Sequence, residues 1–364
     1  MVIEENLGTS CRRIVIKIGT FVISKKDGGI DNDYIEDLAR QLFQFKEKEI
    51  ILVTSGAIGK GMQELQLKEF PREITLRQAC AAVGQTLLMN AYHVAFKKYG
   101  MKVGQILMTY DNFTNRTSYL NLRNTFETLL KQKIIPVVNE NDCISLNEIG
   151  NTFGDNDRLS ALVASKMNAD LLIMLSSAKG LCEYVNGEEK IIPIVTEITS
   201  SLKMLAGKAG QFGTGGMKSK LESAEVVTRA GIPVIVTYGK GKDVVLNVFK
   251  GIYQGTLFLP GKKISIKKTW IRLTPAKGSL VVDEGAQHAL LNGKNLLPAG
   301  VIQIKGNFLK GDVIDIESGS KVIAKAISDF SSIDVEHVKG KRSVEIGKRF
   351  GYVNIARREN LILL

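Results

Sequence analysis

The 364-residue sequence contains few cysteines and few histidines, and each shortage excludes a class of protein. The 4 cysteines stand far apart in the chain, at Cys11, Cys80, Cys143 and Cys182. Without a C-x-x-C pair or a dense disulfide framework, we expect them to be reduced thiols. The 3 histidines are also widely separated, which argues against a histidine-based zinc site.

Long apolar runs and a secretory signal are missing as well. Apolar runs such as residues 171–175 are short, whereas a membrane-spanning helix needs about 18 apolar residues in a row. Glu4 and Glu5 stand where a secretory signal would be basic and then apolar. A composition of 44% hydrophobic and 24% charged residues is typical of globular proteins. We therefore expect a cytoplasmic protein without membrane spans, and the chain length predicts two domains.

Basic residues are unevenly distributed along the chain. Residues 261–364 contain 18 Lys and Arg against 10 Asp and Glu, so they contribute +8 to the total net charge of +12. A basic C-terminal module suggests an anionic partner such as RNA, although an ordinary solvated surface has the same composition.

Residues 1–260 alternate short β-branched runs with helical patterns, which predicts an α/β domain with helices on both faces of a parallel sheet. The predicted strands are residues 13–18, 50–53, 103–107, 134–138, 171–175 and 233–236. The predicted helices lie near residues 33–46, 75–99, 117–131, 156–168 and 216–230. Asp155 is the expected N-cap of the fourth of these helices.

Beyond a border near residues 260–268 the pattern changes. Short alternating runs separated by glycine turns follow, at residues 278–283, 300–304, 311–316 and 321–327. With one helix near residues 285–292, these runs predict a small β-rich barrel.

The usual nucleotide-binding motifs are absent, since neither G-x-x-x-x-G-K-[ST] nor G-x-G-x-x-G occurs. Other polar turns follow the predicted strands, where ligands of open α/β sheets bind. Lys17 interrupts the apolar first strand, and a buried ammonium group needs a counter-anion such as a bound phosphate. The alternative is that Lys17 reaches solvent at the strand end. Gly19 would allow backbone N–H groups to approach phosphate oxygens.

Four further segments are rich in glycine or polar residues. Residues 54–61 favour an anion at a helix N-terminus, or form an ordinary tight turn. Residues 139–142 and 154–157 combine acids and amides, which suit magnesium or an ammonium group better than zinc. Residues 213–220 place glycines, a threonine and two lysines at a helix N-terminus, as in a phosphate cradle. Together these segments predict a nucleotide-dependent phosphoryl transferase with a small polar acceptor.

Six motifs occur along the first 220 residues, namely Lys17-Ile-Gly-Thr20, Val53-Thr-Ser-Gly-Ala-Ile58, Ala82-Val-Gly-Gln85, Val138-Asn-Glu-Asn-Asp142, Gly154-Asp-Asn-Asp157 and Gly213-Thr-Gly-Gly-Met217 through Lys220. In type and order they resemble the glutamate 5-kinases of the amino acid kinase superfamily. Later motifs resemble the PUA domain that many of these kinases carry, at Val282-Asp-Glu-Gly285, Leu297-Pro-Ala-Gly300 and Gly306-Asn-Phe308. The resemblance implies a three-layer amino acid kinase domain with a mainly parallel central sheet over 12–260, a linker over 261–268 and a β-barrel-like PUA domain over 269–352.

The same resemblance implies a reaction and its residues. The γ-phosphoryl group of ATP would pass to the side-chain carboxylate of L-glutamate, giving L-glutamate 5-phosphate in the first step of proline biosynthesis. Lys17 and Lys220 would offset the charge of the transferring phosphoryl group, and Asp157 would hold both lysines. The residues implied to bind glutamate are Ser55, Asp142 and Asn156.

ATP and Mg²⁺ are the implied cofactors, with the metal bridging phosphates rather than bound by protein ligands alone. The residues implied to bind ATP are Lys17, Gly19, Ser176, Ser177, Thr214, Gly215, Gly216, Met217, Lys218, Ser219 and Lys220. One departure stands out, because Ser176-Ser177 replaces the Thr-Asp pair that is usual in the family. Losing that aspartate bears on nucleotide affinity or choice more than on the identity of the acceptor.

The family also implies partners. They are proline as a feedback inhibitor, a reductase that consumes glutamate 5-phosphate, and further copies of the chain in a dimer or tetramer. One alternative is another member of the superfamily, such as an aspartate, acetylglutamate or uridylate kinase. The Asn-Glu-Asn-Asp cluster and the PUA-like tail argue against it. The other alternative, which we do not favour, is an RNA-binding or regulatory protein that uses the PUA domain and has a weak or inactive kinase domain.

Overall fold

The computed structural model describes residues 10–25, 28–144, 156–185, 188–208, 216–260, 268, 271–272, 274–319, 321–341 and 354–363. The chain divides into two compact units, Met1–Lys263 and Ile264–Leu364. Each unit has its own hydrophobic core. The predicted site residues all belong to the first unit, so its architecture decides how they meet.

The first unit alternates strands and helices. Its strands are β1 (Arg13–Ile18), β2 (Glu49–Val53), β3 (Lys102–Met108), β4 (Ile134–Glu140), β5 (Leu171–Ser176), β6 (Cys182–Val185), β7 (Glu188–Ile191), β8 (Ile194–Val195), β9 (Val234–Tyr238) and β10 (Gly255–Phe258). Its helices are α1 (Thr20–Ile23), α2 (Asn32–Phe43), α3 (Ala57–Glu64), α4 (Ile74–Lys97), α5 (Asp111–Thr114), α6 (Arg116–Lys131), α7 (Asn156–Lys166), α8 (Ser200–Lys208), α9 (Met217–Arg229) and α10 (Val244–Phe249). The six strands and five helices predicted from the sequence are confirmed, with ends shifted by a few residues.

Eight strands form the central sheet, in the order β3-β4-β2-β1-β5-β9-β10-β8. From β1 the chain first builds the sheet in one direction and then returns to build it in the other. In such sheets the crevice at this reversal, outside the carboxyl ends of the strands, is where ligands bind. All described residues of β5 are buried, as expected for a strand covered on both faces.

The antiparallel part of the sheet lies at one edge, as the mainly parallel sheet implied by the family resemblance allows. The strand β10 runs antiparallel to β9, and β8 pairs in parallel with β10, so the sheet is mainly rather than wholly parallel. Both strands were missed because they are too short, at 4 and 2 residues, to show a period in the sequence.

Helices α3 and α4 pack backbone against backbone. A Cβ atom on Gly61 would lie 1.8 Å from the carbonyl oxygen of Cys80, and one on Gly84 would lie 1.8 Å from that of Ala57. No side chain fits at either position, so both residues must be glycine. This close approach brings Gln85, the neighbour of Gly84, next to the turn between β2 and α3.

The second unit contains a five-stranded sheet in the order β12-β11-β13-β14-β15. Its elements are β11 (Gly278–Val282), α11 (Glu284–Leu291), β12 (Val301–Gly306), β13 (Val313–Ser318), β14 (Lys321–Ile327), α12 (Ser332–Val338) and β15 (Leu361–Leu363). The four predicted strands and the predicted helix are confirmed. Helix α12 was missed because, at 7 residues, it is marked by a capping box between Ser331 and Asp334 rather than by a periodic pattern.

Candidate active site

The carboxyl ends of β1, β2, β4 and β5 meet at one edge of the central sheet. Hydrogen bonds between neighbours continue past the strand ends, from the N–H of Gly19 to the carbonyl of Leu175 at 3.0 Å and from the N–H of Thr54 to the carbonyl of Val138 at 2.9 Å. These bonds hold the polar turns after the strands in fixed register. The residues that the sequence placed at separate strand ends therefore share one crevice.

Two lysines and one aspartate form a buried charge cluster in this crevice. Asp157 receives the Lys17 ammonium at 2.6 Å on Oδ1 and the Lys220 ammonium at 3.1 Å on Oδ2. All three side chains are buried. The counter-anion that Lys17 requires is therefore a carboxylate of the chain itself, and the alternative that Lys17 reaches solvent is wrong.

Each member of the cluster is positioned by a different element. Lys17 lies near the end of β1, Asp157 in the first turn of α7, and Lys220 in the first turn of α9. A carboxylate in the first turn of a helix is favoured by the helix dipole, whereas an ammonium group there is not. Asp157 thus compensates two cations, one of which stands at an unfavourable helix position.

The charge state of Asp157 follows from this arrangement. Burial by itself would raise the pKa of Asp157, but the ammonium groups of Lys17 and Lys220 outweigh it and hold the pKa below its usual value. Among these three side chains, one carboxylate faces two ammonium groups, so their charges sum to one positive charge. Such a cluster can stabilise an anionic ligand, including the negative charge that develops on a phosphoryl group during its transfer.

A second group of polar side chains surrounds Asn156, the residue before Asp157. Its Nδ2 donates to the carbonyl of Thr54 at 2.8 Å, to Oγ of Ser55 at 3.0 Å and to Oδ1 of Asn139 at 3.1 Å. Among the described residues, its Oδ1 is buried and meets no hydrogen-bond partner. Asn156 therefore presents an acceptor, and Ser55, which already accepts a bond, keeps a hydroxyl proton to donate.

Asn139 and Gln85 extend this group; they belong to the segment 139–142 and to the motif Ala82-Val-Gly-Gln85, but neither of them was assigned a role from the sequence. Asn139 Nδ2 donates to Oε1 of Gln85 at 2.8 Å, and its Oδ1 also accepts from the N–H of Glu140 at 3.0 Å. Both side chains are buried. The signal that could have found Gln85 is its neighbour Gly84, because a glycine within a long helix marks a close approach to another backbone.

Asp142 lies beyond the end of β4 and is buried, and the residues that the structure describes place no cation beside it. Burial, together with the negative charge of Glu140, raises the pKa of Asp142 to about 7. Its Oδ1 has no hydrogen-bond partner among the residues that the structure describes. Asp142 and Asn156 thus both offer unused acceptor atoms, which suits a donor such as an ammonium group.

Several of the residues expected to bind ATP lie at the ends of β1 and β5. We call this part of the crevice, together with the start of α9, the nucleotide side. A Cβ atom on Gly19 would come within 3.2 Å of the carbonyl of Leu175 and 3.5 Å of the Lys17 ammonium, so glycine keeps this position open. Ser176 is buried, and its hydroxyl accepts from the N–H of Ala178 at 3.1 Å. Ser177 is exposed. The Ser176 hydroxyl therefore shapes the turn, while Ser177 is the side chain free to face a ligand.

The N-terminus of α9 completes the nucleotide side. Gly216 is the N-cap of the helix, and no atom of the described ranges lies within 4 Å of the position that a Cβ atom would take there. Lys218 is exposed, Met217 and Ser219 are half-buried, and Ser219 Oγ donates to Oδ2 of Asp157 at 3.4 Å. Three of the expected residues lie outside the described ranges, namely Asp155, Thr214 and Gly215.

These residues fit the phosphates of a nucleotide. The lysine cluster, the glycines at positions 19 and 216 and the N-terminus of α9 all complement phosphate oxygens. Both oxygens of Asp157 face ammonium groups. Within the described ranges, no group of three or more His, Cys, Asp or Glu side chains is arranged to hold a metal ion. No helix in the part of the chain that the structure describes has the length and apolarity needed to span a membrane.

Comparisons with known proteins agree with this architecture. The model of the amino acid kinase family matches residues 12–238, and the model of the PUA domain matches residues 278–350. Curated relatives align over nearly the full chain, and each is named glutamate 5-kinase. The one from Methanosarcina acetivorans is 42% identical over 99% of this chain and 98% of its own length. Those from Moorella thermoacetica and Aquifex aeolicus are each 40% identical, over 98% and 96% of this chain and 97% and 99% of theirs.

Identity at this level over both units, with the family model covering most of the first, settles the kinship. The kinase-type crevice and the separate C-terminal sheet are the structural counterparts of the two family models. The chain therefore belongs to the amino acid kinase family, within the group of glutamate 5-kinases that carry a C-terminal PUA domain.

Proposed function

We propose that this protein transfers the γ-phosphoryl group of ATP to the side-chain carboxylate of L-glutamate, giving L-glutamate 5-phosphate in the first step of proline biosynthesis. One observation carries the proposal. The consecutive residues Asn156 and Asp157 face two different environments, an acceptor-rich polar pocket and a pair of buried ammonium groups. A helix start that joins both parts would place an amino acid beside a transferring phosphoryl group.

The lysine cluster would serve the phosphoryl half of the reaction. In a loose transition state negative charge spreads over the oxygens of the phosphoryl group. Lys17 and Lys220 would offset that charge from fixed positions, without reorganisation during the step. Asp157 would keep both ammonium groups in place and would not take a proton from the acceptor, because a side-chain carboxylate of the substrate is already ionised at neutral pH.

The nucleotide would lie across the ends of β1 and β5 and the start of α9. Gly19 and Gly216 leave room there for phosphate oxygens near backbone N–H groups. When bound to these phosphates, Mg²⁺ would neutralise part of their charge. The residues we assign to ATP are Lys17, Gly19, Ser176, Ser177, Thr214, Gly215, Gly216, Met217, Lys218, Ser219 and Lys220.

The polar pocket would hold the amino-acid end of glutamate. Asp142 and Oδ1 of Asn156 would accept hydrogen bonds from the α-ammonium group. The positive charge of that group would also compensate the negative charge of Asp142. The hydroxyl of Ser55 would donate to the substrate. The pocket would thus anchor one end of glutamate while its side-chain carboxylate extends toward Lys17 and Lys220.

The test is ADP release from ATP and Mg²⁺ by the purified full chain. L-Glutamate, L-aspartate, N-acetyl-L-glutamate and UMP are offered as acceptors, and hydroxylamine traps any acyl phosphate. We expect glutamate-dependent ADP release with formation of the γ-hydroxamate. Turnover with one of the other acceptors, or none with glutamate from folded protein, would refute the proposal.

The partners named by the family resemblance stay predictions. They are proline as an inhibitor, a glutamate 5-phosphate reductase, a dimer or tetramer of the chain, and a cytoplasmic location. We do not propose RNA as a partner, because several basic side chains of the second unit already face carboxylates in the same unit. These pairs are Lys305–Glu317, Lys325–Asp315, Lys339–Glu336 and Arg357–Asp329.

A further inference from the structure

The side chains assigned to the proposed pocket supply hydrogen-bond acceptors for the ammonium group of an amino acid but too few donors for its α-carboxylate. An amino acid presents an ammonium group, which only donates hydrogen bonds, and an α-carboxylate, which only accepts them. Asp142 and Asn156 supply acceptors, since the amide nitrogen of Asn156 is used by three acceptors of the protein. Of the three assigned side chains, Ser55 alone has a proton to donate. A donor for the α-carboxylate is therefore needed.

Gln85 has such a donor. Its side chain is 8% exposed, and among the described residues its Nε2 is buried without a hydrogen-bond partner. A buried N–H without an acceptor is destabilising, so it is expected to meet one when the site is filled.

The orientation of the Gln85 amide is fixed by its neighbours. Asn139 must point its Oδ1 toward the N–H of Glu140 and Nδ2 of Asn156, both of which donate to it. Its Nδ2 is then directed at Oε1 of Gln85, at 2.8 Å. Turning the Gln85 amide around would oppose two donors, so Nε2 stays on the side away from Asn139.

The location of Gln85 also suits a carboxylate. Its neighbour Gly84 lies against the carbonyl of Ala57, the first residue of α3. Gly56 is the N-cap of that eight-residue helix and has no side chain to occupy the helix N-terminus, whose dipole favours an anion beside Gln85. Gln85 and this turn thus form the electropositive side of the pocket, opposite in character to Asp142.

We propose that Gln85 is a further substrate-binding residue, whose Nε2 donates a hydrogen bond to the α-carboxylate of the amino acid. This inference rests on the proposed function of the same pocket. It makes Gln85 a specificity residue, which selects acceptors with a free α-carboxylate over those in which that group is an amide.

The test uses two variants and two acceptors. The variants are Gln85→Met, which removes the donor, and Gln85→Glu, which replaces it with a carboxylate that still accepts from Asn139. The acceptors are L-glutamate and L-isoglutamine, its α-amide, which keeps the side-chain carboxylate. Gln85→Met is expected to raise the KM for glutamate about ten- to a hundredfold with little change in kcat, as for a lost bond to a charged group. Gln85→Glu is expected to lower the preference for glutamate over isoglutamine at least about tenfold.

A residue that only supports Asn139 would give a different result. Gln85→Glu would then resemble the wild type, and both acceptors would change by the same factor, which would overturn the inference. An unchanged KM for glutamate in folded Gln85→Met would overturn it as well. Gln105→Glu, at an exposed position on β3, is the matched control for the added charge.

A binding measurement separates this inference from the proposed function. Thermal stabilisation of each protein by glutamate and by isoglutamine is recorded without ATP, together with far-UV circular dichroism to establish folding. A wild type that neither binds nor phosphorylates glutamate refutes the proposed function. A wild type that does both, with the same preference in Gln85→Glu, refutes the role of Gln85 alone.

Discussion

Two buried carboxylates of one crevice respond to burial in opposite ways. Asp157 is 2% exposed and Asp142 is 7% exposed, so both side chains are almost fully removed from solvent. The pKa of Asp157 is nevertheless held below its usual value by two ammonium groups, although burial opposes this. Burial and the neighbouring charge of Glu140 raise the pKa of Asp142 to about 7. Burial therefore does not set the charge of a carboxylate by itself; the charges next to it decide.

The comparison explains how the two halves of the crevice differ before any ligand binds. The phosphoryl half, around Asp157, already contains the cations that its carboxylate needs. The amino-acid half, around Asp142, contains a carboxylate whose counter-charge is not supplied by the described residues. On the proposed function the α-ammonium group of the substrate supplies it. The following predictions test this difference, from the largest expected effect to the smallest.

Replacing the two aspartates by asparagine is expected to affect stability differently. Asp157→Asn leaves two buried ammonium groups without their carboxylate and is expected to lower the free energy of unfolding by about 3–5 kcal/mol at pH 7. Asp142→Asn removes a buried charge that faces another carboxylate. It is expected to leave the free energy of unfolding unchanged or to raise it by about 1 kcal/mol at pH 8. Urea unfolding measures both, and each variant controls for the other.

The pH dependence of these effects has opposite signs. Because the pKa of Asp157 is lowered in the fold, its contribution to stability is present above the unfolded pKa of about 4 and is lost as pH falls through the folded value. For Asp142 the pKa is raised, so its ionisation costs stability increasingly as pH rises from about 4 toward 7. Equal destabilisation by the two substitutions at every pH would contradict the comparison.

Removing either lysine of the cluster is expected to affect turnover rather than acceptor binding. Lys17→Ala and Lys220→Ala should each lower kcat about a hundred- to a thousandfold, since each removes a fixed positive charge from the phosphoryl half. The KM for glutamate should change less than about threefold, because both lysines lie outside the amino-acid half. Steady-state ADP release measures both constants.

The control for the lysine variants is Lys131→Ala, at an exposed position in the last turn of α6. It should leave both constants near the wild-type values. Near wild-type turnover in Lys17→Ala or Lys220→Ala would remove that residue from the proposed mechanism.

Acidification is expected to weaken glutamate binding through Asp142. Protonation below a pKa of about 7 removes the negative charge that faces the α-ammonium group, so the KM for glutamate should rise about tenfold between pH 8 and pH 6. The measurement is a pH profile of KM and kcat at saturating ATP. The KM of Asp142→Asn should be higher at pH 8 and nearly independent of pH. A wild-type KM that stays flat across this range would show that Asp142 does not carry the charge recognised by the substrate.

The smallest effect is expected on the nucleotide side. Ser177→Asp restores the acid that is usual in the family at this exposed position. It should lower the KM for ATP about two- to fivefold by adding a hydrogen-bond acceptor, and leave the KM for glutamate unchanged. ATP titrations at saturating glutamate measure the KM for ATP. Ser201→Asp, at another exposed position, is the control for the added charge. A larger change in the KM for glutamate than in that for ATP would place Ser177 in the wrong half of the crevice.

Sequence reasoning reached most of the first unit because its strands and helices are long enough to show their periods. It missed β10 and α12, which are short and depend on pairing with a neighbour or on a cap. In the crevice it singled out Lys17 and the segments 154–157 and 213–220 from their residue types, and the family resemblance then implied the roles of Lys17, Asp157 and Lys220. It did not single out Gln85 as a site residue, because Gln85 lies within a long helix and reaches the pocket through a helix contact that sequence spacing does not reveal.

The sequence by itself determined the class of fold and the polar residue types at the strand ends, because the alternation of apolar residues records which faces are buried. Only the tertiary structure decided which of these residues form ion pairs with one another. Lys17, Asp157 and Lys220 come from distant parts of the chain, yet their charged atoms lie within 2.6 and 3.1 Å. Electrostatic energy depends on the distance between charges and on their burial. Both quantities arise when the sheet and helices pack, so the two aspartates could be told apart only in the folded protein.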